Sequence, residues 1–343
     1  MNLTLSESQE AIGAAASEVF GRLVDPARIE KVEQTPDRFD RDLWSALASA
    51  GLIGVAVPEE YDGLGLGAIE FALVCEQLGR SVAAVPLVET ALAAWCIATH
   101  GSDDQRNRLL PGLVSGEKVA AVDWSGAGIG VPWAHVADIV LTVANGQLLL
   151  VDPNAESVTS TREETTARTV AMTLSYDAAA TERVGDAAGD WFIARMRVAL
   201  AAVQAGVTDA AVRLTASYTN DREQFGKPLS TFQGVALKAA DAFLDATAVH
   251  ATAMQAAWAL DELDDPTLPA LTAAWWAADG GQRCVHLTQH LHGGMGADVT
   301  YPVHRYFLWA KQIELQLGGA SALLAELGDA LEDRPDAGDA VVL

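Results

Sequence analysis

The sequence has little positive charge and no long apolar run. Its 343 residues contain 22 Lys and Arg against 46 Asp and Glu, which gives a formal net charge of −24 at pH 7. A chain this acidic is repelled by a phosphate backbone, which argues against wholesale nucleic-acid binding. Charged residues interrupt the apolar runs before the roughly 18 residues that a membrane span needs. Since no basic-then-apolar leader opens the chain, we expect a cytoplasmic protein that binds no membrane.

Cysteine is also scarce. The chain has Cys75, Cys96 and Cys284, which lie far apart and form no C-x-x-C pair. This spacing argues against a disulfide framework and against a cysteine-based zinc site. We expect three buried, inert thiols.

The pattern of residues divides the chain into helical and β parts. Residues 1–116 are predicted to be helical, with a capping box formed by Ser6 and Gln9 at the first helix. Residues 117–185 carry short β-branched runs with a turn at Asn145 and Gly146, which predicts a small, reduced β domain.

Residues 186–328 are helical again and predict a four-helix bundle, followed by a frayed acidic tail over residues 329–343. The fold class predicted is therefore mainly α with a small β domain. The bundle helices are expected at roughly 187–220, 231–262, 268–290 and 302–328.

One candidate site is the stretch QHLHGGMG at residues 289–296. His286 and His290 are four residues apart and share a helix face, but the zinc motif H-E-x-x-H is absent. The carboxylate nearest to the stretch 289–296 in sequence is Asp298. We therefore predict no metal site. Two interpretations stay open. The histidines cap a helix end and bond to backbone, or the glycines bring bare backbone close to a phosphate or adenine.

A second candidate is REQFGKPLSTFQ at residues 222–233. Arg222 ends a long helix, a turn follows at residues 226–228, and a new helix begins near residues 230–231 with Gln233 in its first turn. Such a corner can direct a guanidinium and an amide at one anion. A helix hairpin with an exposed arginine is the alternative.

Together with LWSALASAGLIGVAVPEEYDGLGLG…EQLGR (43–80) and HGGMGADVTYPVHRYFLWAK (292–311), this stretch resembles the flavin-dependent acyl-CoA dehydrogenase family. The resemblance spans nearly the whole chain. It implies an N-terminal helical domain, a middle β domain and a C-terminal four-helix bundle. It also implies FAD, a coenzyme A thioester as substrate, and α,β-dehydrogenation, in which a carboxylate takes the α proton and the flavin takes the β hydride.

The resemblance implies which residues contact FAD. In the family, the matching segments reach across a dimer to the FAD of the neighbouring subunit, with Arg222 and Gln233 towards the pyrophosphate and adenine. The cofactor-binding residues implied are Arg222, Gln224, Phe225, Gln233, Gln289, His290, Gly293 and Gly294.

The catalytic base that the family supplies is missing. At the usual glutamate position this sequence has Leu317, and at the alternative position on the first bundle helix it has Met196 and Arg197. None of these side chains serves as the base. We therefore predict no catalytic residue in this chain, with Glu314 as the weak alternative base.

The β domain departs from the family as well. Between residues 116 and 152 the sequence has no Thr-Glu-Pro-like loop and no Trp-Ile-Thr-like strand, the segments that hold the isoalloxazine ring in the family. This combination resembles the non-catalytic subunit of the heteromeric acyl-CoA dehydrogenases of actinobacterial steroid (cholesterol) side-chain degradation.

The resemblance implies a shared FAD, an α2β2 heterotetramer with a catalytic acyl-CoA dehydrogenase subunit, and an acyl-CoA substrate such as a steroid side-chain thioester. Alternatives are an active homomeric dehydrogenase with an unrecognised base, a flavin enzyme of altered chemistry, and a structural or regulatory subunit with no cofactor contact.

Overall fold

The computed structural model describes residues 4–165, 167–177, 180–186 and 188–334. The chain separates into two compact units, Met1–Met196 and Arg197–Leu343. Helices dominate both units and strands are confined to short stretches, so the fold class predicted from the sequence is confirmed. The domain boundaries at residues 116, 185 and 328 stay predictions.

Six helices occupy the first part of the chain. The first begins at the predicted capping box, where the Gln9 N–H donates to the Ser6 hydroxyl and the Ser6 N–H donates to the Gln9 side chain. Further on, Gly51 has a φ of +73° and ends the third helix, as its sequence position indicates. The bounds are α1 Glu7–Leu23, α2 Pro26–Glu33, α3 Arg41–Ser49, α4 Ala68–Ser81, α5 Leu87–His100 and α6 Asp103–Val114.

The core of this unit is formed by large aliphatic and aromatic side chains, among them Phe20, Leu47 and Leu92, which are fully buried. All three cysteines of the chain are buried and free, as predicted. Burial raises the pKa of each thiol, and the scarcity of thiolate at neutral pH makes them poor nucleophiles.

The strands between residues 120 and 183 form two small sheets. One has the order β1-β3-β4-β7, with β1 and β3 parallel, and the other is antiparallel with the order β2-β6-β5. The predicted turn joins β3 to β4, where Asn145 and Gly146 have φ values of +51° and +74°, as a two-residue hairpin requires. The bounds are β1 Ala120–Asp123, β2 Val131–Pro132, β3 Ile139–Ala144, β4 Gln147–Val151, β5 Thr159–Glu164, β6 Val170–Ser175 and β7 Thr181–Arg183.

The C-terminal part contains five helices where the sequence predicts four. The segment predicted as one helix over residues 302–328 breaks at Gly318 and Gly319, whose φ values of +89° and +86° lie in the left-handed region and cannot continue a helix. The bounds are α7 Ala188–Asp221, β8 Glu223–Gln224, β9 Lys227–Pro228, α8 Gln233–Glu262, α9 Thr267–Leu291, α10 Val303–Gln316 and α11 Ala320–Glu332.

Small side chains let these helices approach closely. The α8 residues that face α9 include Ala242, Ala246 and Ala253, all buried. By length and composition α7 could cross a membrane, but 72% of its apolar window is buried inside the protein, the pattern of a core helix. The predicted acidic tail starts within α11, which continues to Glu332, and from residue 335 onward it lies outside the described residues.

Candidate cofactor site

The chain leaves α7 through a tight hairpin rather than a simple helical corner. β8 pairs antiparallel with β9, and the turn between them is Phe225 and Gly226, with φ values of +55° and +78°. The Phe225 side chain is 94% exposed. The turn predicted at residues 226–228 is therefore centred one residue earlier, and α8 starts at Gln233, because a short 3₁₀ turn takes up the residues before it.

Two of the implied cofactor residues on this hairpin and helix are accessible. The Gln224 amide donates to the Glu223 carbonyl at 2.7 Å, and Gln233 is exposed as the first residue of α8. Among the described residues, no hydrogen bond joins Gln224, Phe225 or Gln233 to residues 289–294. The structure therefore leaves the two predicted segments without direct bonding between them.

Arg222 lies beside a cavity of about 280 Å³ at the end of α7. Its side chain is exposed and makes no ion pair within the part of the chain that the structure describes, although the protein as a whole is strongly acidic. An exposed guanidinium next to a cavity can donate two hydrogen bonds to one anion. The cavity is lined by Leu214, Ser217, Tyr218, Asp221, Arg222 and Tyr301.

Residues 289–294, called the glycine segment below, lead out of α9. The Gln289 amide donates to the Gly296 carbonyl at 2.9 Å, which holds the segment in a compact turn. Gly293 has a φ of +58°, and a Cβ at Gly293 or Gly294 would meet no other atom within 4 Å. The backbone at these two glycines is therefore open to a ligand.

The glycine segment contacts two other helices. His290 lies with its Nε2 2.7 Å from the Lys238 ammonium on α8. On the other side, the ring of His292 stacks on Tyr218 of α7 at 4.5 Å between centroids, and the Tyr218 hydroxyl donates to the His292 carbonyl at 3.3 Å. These contacts connect the glycine segment to the helix that ends beside Arg222.

His292 is a structural residue of this site. Its Nδ1 lies 2.8 Å from the Thr288 carbonyl, so Nδ1 carries the proton and donates. Burial lowers the pKa of His292, an effect that the bond to Thr288 partly offsets, and the ring is therefore neutral near pH 7. Burial and the neighbouring Tyr218 raise the pKa of Tyr301, which keeps that phenol protonated.

Within the described residues, no group of three or more His, Cys, Asp or Glu side chains could hold a metal ion. His286, one of the histidines that suggests a metal from the sequence, packs edge-on against the Phe307 ring at 4.9 Å. The three histidines thus have different environments. His286 contacts an aromatic ring, His290 contacts an ammonium, and His292 is buried in a stack with Tyr218.

The position at which the sequence resemblance predicts the family's glutamate is apolar and buried. Leu317 is the residue after α10 and only 3% exposed. Glu314 is the carboxylate nearest to Leu317 in sequence, and it lies 2.5 Å from the Lys311 ammonium on the same helix. The Lys311 ammonium thus occupies one of the two carboxylate oxygens of Glu314.

The alternative base position on the first bundle helix offers no carboxylate. Met196 is buried, and Arg197 donates through Nη2 to both oxygens of Glu326 at 2.6 Å. Glu326 is therefore bound to a guanidinium and lies on a different helix from the position in question.

In the β part, hydrogen bonds to Asp123, the last residue of β1, hold the loop that follows this strand. The buried Asp123 carboxylate accepts from the Ser125 hydroxyl, the Gly128 N–H at 2.8 Å and the Thr142 hydroxyl at 3.1 Å. Both oxygens of Asp123 accept hydrogen bonds, from the loop and from Thr142 on β3. Asp123 therefore stabilises the conformation of this loop.

Three residues of the site are absent from the sequence-based prediction: Tyr218, Lys238 and Tyr301. Lys238 had a signal, since it is an isolated cation in the alanine-rich stretch GVALKAADAF. The two tyrosines had none, because their contact depends on how α7 packs against the segment that precedes α10.

Comparison with protein families identifies two matching domains. The model of the acyl-CoA dehydrogenase N-terminal domain matches residues 6–117, and that of the acyl-CoA dehydrogenase C-terminal domain matches residues 186–329. The acyl-CoA dehydrogenase FadE27 of Mycobacterium tuberculosis is 33% identical to this chain over 98% of the chain and 100% of FadE27.

Two solved structures are similar over almost the whole chain. A structure described as "Tcur3481-Tcur3483 steroid ACAD G363A variant" has 41% identity and a TM-score of 0.90, covering 96% of this chain and 99% of that one. The ChsE4-ChsE5 complex from Mycobacterium tuberculosis has 32% identity and a TM-score of 0.91, with coverage of 98% and 100%.

Proposed function

The chain belongs to the acyl-CoA dehydrogenase family, and from this premise we propose that it is the non-catalytic subunit of a heteromeric FAD-dependent acyl-CoA dehydrogenase. In this assignment it helps to hold the FAD of a catalytic partner without supplying the base. FAD, when bound, provides the acceptor for the β hydride of the acyl-CoA.

The observation that carries the proposal is the burial of Leu317, the residue for which the sequence resemblance predicts a glutamate. A leucine cannot take the α proton, and the nearest carboxylate, Glu314, is held by Lys311. A subunit of this family without a base depends on another polypeptide for proton abstraction. Each of the two similar structures is described by the names of two proteins, which supports a partner of the same family.

The residues present fit the phosphate end of FAD. The Arg222 guanidinium has no carboxylate partner among the described residues and borders a cavity, and Gly293 and Gly294 have open space beside them. A diphosphate needs charge-assisted donors and close backbone approach, which these three residues offer. Arg222 and the glycine segment would hold this end of the cofactor.

The residues of the β part fit the flavin ring less well. In the loop after β1, both carboxylate oxygens of Asp123 are committed to internal bonds with Ser125, Gly128 and Thr142. The Asp123 carboxylate is therefore not free to bind the ring. This supports a cofactor whose reactive ring is held by the partner subunit.

α8 carries an apolar face that suits a partner subunit. Leu237, Phe243 and Leu244 are 59%, 60% and 64% exposed, and Leu237 and Leu244 are seven residues apart on one side of the helix. Exposed apolar side chains grouped in this way mark interaction surfaces. We call these three residues the α8 face and assign it to the interface with the catalytic subunit.

The finer assignments rest on the relatives. We propose an α2β2 heterotetramer in the cytoplasm, with a steroid side-chain CoA thioester of cholesterol degradation as the substrate class. The support is the description of one similar structure as a steroid ACAD and the pairing of different proteins in both.

Co-expression with a candidate catalytic subunit tests the proposal. We expect the chain purified alone to bind little FAD and to show no dehydrogenase activity, and the co-purified complex to be yellow with a flavin absorbance spectrum. Mass analysis of the complex gives its stoichiometry. A homogeneous, flavin-loaded and active homo-oligomer of this chain would falsify the proposal.

A further inference from the structure

Most cations of residues 197–334 pair with carboxylates of the same unit. Arg222, Lys227 and Lys238 differ, since none of them makes an ion pair within the described residues, and Lys227 lies instead over the Phe232 ring at 4.3 Å. All three fall in one stretch of 17 residues, 222–238, at the start of α8 and just before it. The cations with a carboxylate partner are Arg197, Arg213, Arg283, Lys311 and Arg334, and the remaining cation, Arg305, is buried.

The contact between Lys238 and His290 fixes the proton on the histidine. An ammonium can only donate, so at 2.7 Å the Nε2 of His290 must accept, and the proton of the neutral ring lies on Nδ1. The contact uses one of the three N–H donors of Lys238 and cancels none of its charge.

The pair lies next to the open glycines. His290 is exposed and comes three residues before Gly293, where the backbone has space on its outer side. Lys238 on α8 thus presents a positive charge at the glycine segment, and His290 on α9 presents its Nδ1–H there. Arg222 presents a second charge at the end of α7, on the side where Tyr218 contacts His292.

Building on the function proposed above, we propose that Lys238 is a further residue of the dinucleotide site. Its ammonium adds positive charge beside the diphosphate, and it holds His290 in the tautomer whose Nδ1–H donates to an anionic oxygen. Lys238 is therefore a positioning residue for His290 as well as a counter-charge for the ligand.

Affinity for FAD in the reconstituted heteromer tests the charge. We expect Lys238→Met to raise the Kd of FAD, measured by flavin fluorescence with the flavin-stripped complex, about tenfold, since a charge-assisted bond is lost. The same variant should weaken the dependence of Kd on salt concentration. Lys238→Arg should restore Kd to within about threefold, because it keeps a charged donor.

Arg213→Met is the matched control. Arg213 is an exposed cation of the same unit, paired with Asp209 on α7 and away from the glycine segment in sequence. Its loss removes one charge without touching the site, so Kd should stay as in the wild type. An equal loss of affinity in this control would overturn the assignment to Lys238, because it would reflect net charge alone.

Two histidine variants test the tautomer, and both keep Lys238. Asparagine places its amide near the Nδ1 position of the imidazole and can replace the Nδ1–H donor, whereas glutamine reaches the Nε2 position. We expect His290→Asn to keep the Kd of FAD within about threefold and His290→Gln to raise it about tenfold. If the two variants bind equally well, the tautomer argument is wrong. If Lys238→Met prevents assembly of the complex, the comparison of the two histidine variants still tests the proposal.

Arg222→Ala separates this inference from the proposed function. If Arg222→Ala lowers flavin content while Lys238→Met and His290→Gln leave it unchanged, the inference fails and the shared cofactor site stands. If none of the three changes the flavin content of the assembled complex, the chain does not contact the cofactor and both fail.

Discussion

The carboxylate of Glu314 lies 2.5 Å from the ammonium of Lys311, one helical turn earlier on α10. Glu314 is the carboxylate nearest in sequence to Leu317, the residue at the position where the resemblance predicts the family's glutamate. A base in α,β-dehydrogenation must reach the α proton and accept it, and one oxygen of Glu314 is already bonded to Lys311. The relationship between these two residues therefore argues against Glu314 as the base.

Replacement of Glu314 by Gln should leave turnover of the heteromer within about twofold of the wild type. The measurement is the rate of flavin reduction by acyl-CoA, with flavin content and assembly checked in parallel. If Glu314 is the base, its loss would instead lower the rate about a hundredfold or more. A loss of that size in a fully assembled, flavin-loaded complex would make this chain the catalytic subunit.

Replacement of Leu244 by Asp should prevent assembly with the catalytic subunit. Leu244 is 64% exposed in the α8 face, and a charge placed there would be desolvated in an interface without a partner. Size-exclusion chromatography of the co-expressed proteins measures the effect. Ile129→Asp, at a side chain that is 68% exposed in the N-terminal unit, is the control. Assembly that survives Leu244→Asp would place the interface elsewhere.

Replacement of Gln204 by Met should stabilise the protein. Gln204 is fully buried on α7, and neither polar atom of its amide has a hydrogen-bond partner among the described residues. Removing an unsatisfied amide at similar side-chain length should raise the free energy of unfolding by about 1 kcal/mol. Chemical denaturation measures the change.

Gln105→Met gives the opposite case. Gln105 is also buried, but its amide donates to Glu182 and to the Arg183 carbonyl at 2.8 and 2.9 Å. Its replacement should destabilise the protein by about 1 to 3 kcal/mol. Equal effects of the two substitutions would show that the Gln204 amide is satisfied after all.

The buried Glu89 on α5 should make stability depend on pH. Burial raises its pKa from 4.5 to about 7, so between these values the folded protein keeps a proton that the unfolded chain has lost. Stability therefore falls as pH rises through this window, by about 3 kcal/mol in total, and does not recover above it. We expect the Glu89→Gln variant not to lose stability over this pH window, because glutamine has no carboxyl group to titrate.

Unfolding free energies at pH 5 and pH 8 check this expectation. The advantage of Glu89→Gln over the wild type should grow by about 2 kcal/mol between the two pH values. Glu117→Gln, which changes an exposed glutamate, should show no such trend. A constant difference for Glu89→Gln would mean that the carboxyl is ionised or solvated in the folded protein.

Local patterns in the sequence were enough for the helices, the hairpin and the fold class. Ser6 with Gln9 starts α1, and Asn145 with Gly146 joins β3 to β4, because capping and turn geometry depend on neighbouring residues. The break at Gly318 and Gly319 was missed, since an apolar pattern that continues on both sides conceals a change of direction.

By itself, the sequence determined the family resemblance, the leucine at position 317 where the resemblance predicts a glutamate, and Arg222 as a candidate cofactor-binding residue. Only the tertiary structure decided how these residues are used. It left Arg222 without a carboxylate among the described residues, and it brought Lys238 to His290 from another helix. The physical reason is that an ion pair or a tautomer depends on distances of a few ångströms between helices, which residue spacing along one helix does not specify.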